Sequence, residues 1–141
     1  VLAQVMLPAD ANPSGNVHGG TLMKLADTAG GIAAMRHAGR RVVTVTVDSM
    51  TFEVPVVVGD LVSLTASVTW VGRTSIEVMV GIEAENIVTA DRRRASTAYF
   101  VYVALDEHGN PATIPPLELR TEDERRRFAE DHARHGRIVP S

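Results

Sequence analysis

The sequence predicts an α+β fold in which a short strand and one long helix are followed by four antiparallel strands. Two periodicities carry that reading. From Thr21 to Ala38 the apolar residues recur with the period of a helix, whereas from Val43 to Leu105 they mostly alternate with the period of a strand. Turn formers mark several of the breaks, in the segment Ala9 to Asn16, at Val71-Gly72 and at Asp106 to Asn110. An early helix followed by consecutive strands can bury both only if the sheet curls around the helix.

Each element follows in order. Val1 to Leu7 reads as a short apolar strand, and because the numbering opens at Val1 rather than at a methionine, further residues are expected upstream. Pro8 then introduces the polar segment Ala9-Asp10-Ala11-Asn12-Pro13-Ser14-Gly15-Asn16, whose composition favours a structured loop. Gly19-Gly20 opens the helix, which projects Leu22, Leu25, Ala26, Ala29 and Ala33 to one face and Thr21, Lys24, Thr28 and Gly31 to the other. The helix is expected to be mostly buried. Gly30 and Gly31 in its interior each cost about 1 kcal/mol relative to Ala, which points to a backbone or ligand passing close by.

The strands are less regular. Val43, Val45 and Val47 share a face, but the apolar set moves to Met50 and Phe52, so a bulge is expected near Asp48-Ser49. Leu61 to Trp70 places Val62, Leu64, Ala66, Val68 and Trp70 together, and after a turn at Val71-Gly72 the alternation resumes through Arg73 to Glu85. A polar stretch with Arg92, Arg93 and Arg94 precedes a last strand, Ala95 to Leu105, closed by the turn Asp106 to Asn110. Pro115-Pro116 marks the boundary between a domain of residues 1–115 and a tail of residues 116–141. The tail is expected to form a charged helix from Thr121 to about His135.

Composition narrows the function. With 141 residues, 45% of them apolar, the chain suits one domain with a substantial core. It has no cysteine, which excludes disulfides and thiolate metal sites and suits a reducing cytoplasm. The net charge of −3 argues against a nucleic-acid partner, and no apolar run approaches the ~20 residues of a membrane helix.

The run Leu7-Pro8-Ala9-Asp10-Ala11-Asn12-Pro13-Ser14-Gly15-Asn16-Val17-His18-Gly19-Gly20, with Met23 and Asp27 behind it, resembles the hotdog-fold acyl-CoA thioesterases of the cytosolic acyl-CoA hydrolase type. Val43-Thr44-Val45, Phe52, Pro55-Val56, Val58-Gly59-Asp60 and Gly72-Arg73-Thr74-Ser75 continue the likeness in the same order, so it extends from residue 1 to about 115. The resemblance implies a five-stranded sheet curled around a central helix. It also implies a homodimer, commonly built into a trimer of dimers, acting on acyl-CoA in the cytoplasm. Asp27 falls at the position of the family's catalytic Asp, and Asn12 at that of an Asn contributed by the partner chain. No cofactor is implied, since CoA enters with the substrate and leaves as product, and no metal is implied either.

The residues themselves admit alternatives. Asp27, in an otherwise apolar helix, is a candidate base or nucleophile, or else pairs with Lys24 one turn before it. As a base it would activate water; as a nucleophile it would attack the thioester carbonyl. Gly20 is a candidate oxyanion donor through its backbone N–H, with Gly19 beside it admitting the substrate closely; the plain alternative is a flexible helix start. Asn12 either orients water or substrate or makes a turn with its own backbone, a duty for which Asn16 is the better candidate. Arg73, Thr74 and Ser75 resemble the family's contacts to pantetheine. Arg92 to Arg94 suit either the CoA phosphates or a solvated strand end.

His18 reads as structural, since related sequences accept Phe there. His132 and His135 near Asp131 have metal-ligand spacing but no evident third ligand. Two rival functions use the same fold. A hydratase or dehydratase would need a His paired with an acid at a different spacing and a Pro-rich turn after the His. A non-catalytic acyl-CoA sensor would carry a basic DNA-binding segment.

Overall fold

The computed structural model describes residues 1–117 and Arg126, so the helix expected between Thr121 and His135, and His132 and His135 on it, lie outside the described residues apart from Arg126. Strand β1 (Leu2–Val5) is followed by a short 3-10 turn, Pro8–Asp10, and by helix α1 (Gly19–Ala38). Strands β2 (Val42–Phe52), β3 (Leu61–Val71), β4 (Ser75–Asn86) and β5 (Asp91–Ala104) complete the fold. All pairings are antiparallel, in the order β1-β3-β4-β5-β2. The expected α+β architecture is therefore present, with α1 lying across β2, β3, β4 and β5 as in a hotdog fold.

Helix α1 ends where the chain can turn: Gly39 adopts the left-handed conformation (φ 66°) and its N–H bonds to the Met35 carbonyl at 2.8 Å. Its buried stripe is Leu22, Ala26, Ala29, Gly30, Ala34 and Ala38. These small side chains let the helix sit close to Leu64, Val78, Val80, Phe100 and Tyr102 in the core. The burial is one stripe rather than most of the helix, because Met23, Ile32 and Met35 stay exposed.

The strands bear out one expected irregularity and add others. Pairing between β2 and β5 slips between Val47 and Ser49, which leaves Asp48 as the bulged residue, and slips again between Thr44 and Thr46. A bulge at Thr69 corrects the expectation for Trp70. Val68 pairs with Val78 but Trp70 pairs with Glu77, so Trp70 leaves the face of Val62, Leu64 and Val68 for the opposite one. Arg92, Arg93 and Arg94 also differ from expectation by lying within β5, opposite Glu85, Ala84 and Glu83.

Arg93 closes a clamp on the segment between β2 and β3. It donates to the Asp60 carboxylate at 2.8 Å and to the Pro55 carbonyl at 3.3 Å, and Asp60, which is buried, also accepts from Val57 N–H at 3.1 Å. A charge at that depth persists only when paired. The loop so fixed holds the next one, since Val17 N–H donates to the Val56 carbonyl at 2.7 Å and Val58 N–H to that of Gly15.

Candidate active site

Asp27 lies midway along α1, where two strands reach it. Thr44 of β2 donates its hydroxyl to Asp27 Oδ1 at 2.8 Å, and Tyr102 of β5 donates to the same oxygen at 3.1 Å and to the Asp27 backbone carbonyl at 3.0 Å. Among the described residues Oδ2 receives no hydrogen bond, and Lys24 forms no ion pair with Asp27. The plain reading of Asp27 as half of a surface pair is therefore not realised. Burial, and then the charge of Asp27 and the hydrogen bond to it, hold the Tyr102 hydroxyl above the usual tyrosine range, so it remains a donor at neutral and moderately alkaline pH.

The loop before α1 supplies a second group of residues. Asn12 Oδ1 accepts from Ser14 N–H at 3.0 Å, Ser14 Oγ at 2.7 Å and Asn16 N–H at 3.2 Å. Asn12, not Asn16, thus makes the turn, because its oxygen faces the backbone donors that follow it. Those N–H groups also fix the orientation of the amide: oxygen inward, Nδ2 outward, with no partner for Nδ2 among the described residues. His18 caps α1 in an extended conformation without a side-chain hydrogen bond to the helix. The N–H groups of Gly19 and Gly20 consequently have no acceptor among the described residues, and both glycines are exposed. Beside them an open cavity of about 330 Å³ is walled by Val17, Leu22, Phe52, Val54 and Val56.

These two groups stand apart within one chain. At 1.5 Å per residue, Asp27 is about 10 Å along the axis from Gly20. The opposite ends of β2 mark them: Thr44 touches Asp27, whereas Phe52 lies over Gly19, where an added Cβ would meet its ring at 3.2 Å. The Arg73-Thr74-Ser75 turn belongs to the Asp27 end, since Ser75 pairs with Val103 and the Thr74 carbonyl accepts from Ala104 N–H. Arg73 is exposed there, while Ser75 is buried. The basic run is mainly structural: Arg93 holds Asp60, Arg92 lies 3.6 Å from Glu85, and Arg94 covers Gly81. No cluster of three or more potential metal ligands occurs among the described residues.

The model of the thioesterase superfamily matches residues 14–90, more than half of the chain. The chain belongs to that superfamily. Among its relatives, the cytosolic acyl coenzyme A thioester hydrolase of Rattus norvegicus is 36% identical over 136 residues, 95% of this chain. The chain spans only 36% of that protein's length. An acyl-CoA hydrolase from Staphylococcus aureus, solved with butyryl coenzyme A, coenzyme A and coenzyme A disulfide, superposes with a TM-score of 0.86. It is 32% identical, over 96% of this chain and 83% of that one. The same protein has been characterised with an Asp, a Thr or an Asn replaced by Ala. The hexameric thioesterase of Yersinia pestis superposes with a TM-score of 0.77 at 42% identity, over 83% of this chain and 95% of that one.

Sequence reasoning about this thioesterase-superfamily chain missed Thr44 as a partner of Asp27, and missed Tyr102 altogether. The one signal for Tyr102 was Gly30, three residues after Asp27 on the same side of α1. A Cβ there would collide with the Tyr102 hydroxyl. The close approach inferred from that glycine is real, but a side chain makes it rather than a backbone or ligand.

Proposed function

We propose that the chain hydrolyses acyl-CoA thioesters to a carboxylic acid and CoA. Asp27 serves as base or nucleophile, Gly20 N–H as oxyanion donor, and Asn12 comes from the partner chain of a homodimer. The observation that carries this reading is the half-bound carboxylate of Asp27, anchored through Oδ1 while Oδ2 receives no hydrogen bond among the described residues. The intervals support it as well. In the Staphylococcus aureus hydrolase the substituted Asn lies fifteen residues before the Asp and the Thr seventeen after it, the intervals that separate Asn12, Asp27 and Thr44 here.

Either chemical route needs the same placement. As nucleophile, Asp27 bonds to the carbonyl carbon, the C–S bond breaks, and water then cleaves the mixed anhydride. As base, it takes a proton from the water that attacks the carbonyl. The leaving thiol has a pKa near ~8.5 and departs as thiolate, so no strong general acid is required. Charge on the carbonyl oxygen meets Gly20 N–H. The inward-facing Oδ1 leaves Asn12 Nδ2 as the donor that positions water or substrate. Gly19 admits the thioester, the cavity beside it takes apolar substrate atoms, and Arg73, Thr74 and Ser75 form the turn on the CoA side.

Because Asn12 and Asp27 lie at different places along one chain, a two-fold pairing is what brings them to one thioester. The exposed edge of β2 supports a dimer, and the hexameric Yersinia pestis protein supports its repetition as a trimer of dimers. We place the thioesterase domain at residues 1–115, with 116–141 as a tail. We assign the enzyme to the cytoplasm, in keeping with the name of the rat relative. No cofactor enters this scheme.

Release of free thiol from a panel of saturated acyl-CoAs tests the activity; absence of turnover across the panel rejects it. Sharing is tested by refolding Asn12→Ala and Asp27→Asn together in equal amounts. Roughly a quarter of wild-type activity returns if the residues come from different chains, because half the dimers are mixed and each holds one intact site. No recovery in demonstrated heterodimers rejects the shared site.

A further inference from the structure

We propose that Tyr102, seated against the bare backbone of Gly30, is a positioning residue that decides which oxygen of Asp27 reacts, an inference that rests on the thioesterase reading above. A carboxylate on a helix turns about its side-chain bonds and presents either oxygen unless something distinguishes them. Tyr102 touches Asp27 twice, at the backbone carbonyl (3.0 Å) and at Oδ1 (3.1 Å), so it ties the side chain to its own main chain. Thr44 adds a donor to Oδ1 from the neighbouring strand at 2.8 Å. With two donors on Oδ1 and none on Oδ2 among the described residues, the less stabilised electron pairs lie on Oδ2, which is the stronger nucleophile and base.

Gly30 makes this arrangement possible. A Cβ at position 30 would overlap the Tyr102 hydroxyl and sit 3.3 Å from Cζ and 3.4 Å from Cε2. The hydroxyl therefore occupies space that any other residue would fill. The ring is packed in the core, 1% exposed, with its centroid 6.2 Å from that of Phe100, so moving the hydroxyl off Asp27 disturbs that packing. A buried phenol needs a polar partner, and this one spends its single proton on the residue assigned to chemistry.

The test is steady-state hydrolysis of an acyl-CoA that the wild type turns over, with Tyr102→Phe, Gly30→Ala and the double variant. Tyr102→Phe keeps the ring and removes the clamp; kcat should fall about tenfold with KM within about twofold, as for loss of orientation without loss of binding. Gly30→Ala should lower kcat by displacing the hydroxyl. In the double variant it should add little, since the group it displaces is gone. Unchanged kcat in folded Tyr102→Phe overturns the proposal while leaving the thioesterase reading intact. Should the wild type release no thiol, that reading fails and crystal structures of wild type and Tyr102→Phe decide the clamp. The carboxylate should rotate or spread over two orientations in the variant; an Asp27 unmoved in it overturns the proposal.

Discussion

The middle of α1 and its N-terminal end treat their polar groups in opposite ways. At the middle, Asp27 Oδ1 accepts from Thr44 and Tyr102, so the protein's own strands have oriented the charge before any ligand arrives. At the end, His18 provides no capping oxygen, and the N–H groups of Gly19 and Gly20 find no acceptor among the described residues. A carboxylate gains from being fixed in advance, whereas donors meant for a transient oxyanion are useful only if nothing occupies them. In the proposed site one helix thus carries a finished half and an open one, and the order along the chain keeps them about 10 Å apart.

The most damaging way to break the comparison is at its finished half. Asp27→Asn preserves size and should preserve the fold by circular dichroism, while lowering thiol release by at least ~10², as on losing a base or nucleophile. Near-normal turnover in a folded variant removes Asp27 from the mechanism. The open half is tested in the reverse sense, by closing it. His18→Asp places a capping carboxylate where α1 has none, which should raise stability by about 1 kcal/mol in denaturant titrations. The same carboxylate occupies and repels at the oxyanion position, so activity should drop about tenfold. A variant both more stable and fully active would mean that those N–H groups take no part.

The smallest expected effect concerns the pair that does not form. Lys24→Ala should leave both stability and turnover nearly unchanged, because Lys24 makes no ion pair with Asp27. A large loss in either would restore Lys24 as a partner.

Local pattern was enough for the features that depend on neighbours in sequence. The start of α1 at the glycines and its end at Ala38 follow from the helical period, and the bulge at Asp48 from the change of face between Val47 and Met50. Trp70 failed the same rule because one bulged residue, Thr69, reverses every later side chain, and nothing in a Ser/Thr alternation marks which residue bulges. The site divided likewise. Asp27, Asn12 and the glycines lie within sixteen residues and form a readable motif. Thr44 and Tyr102 reach Asp27 only because β2 pairs with β5 at the sheet edge, a contact between segments 58 residues apart that no local spacing encodes. Asn12 was read as the freer of two asparagines because composition does not reveal which oxygen faces the turn.

The two irregularities of β2 bear on a different problem, that of unwanted company. An eleven-residue edge strand with Val43, Val45 and Val47 exposed is a template on which any extended apolar peptide can align. Slips at Val45 and at Asp48 interrupt it, so a straight visitor keeps step for only a few residues before its donors and acceptors fall out of phase. Against such visitors the edge is a poor template by rhythm rather than by side-chain chemistry.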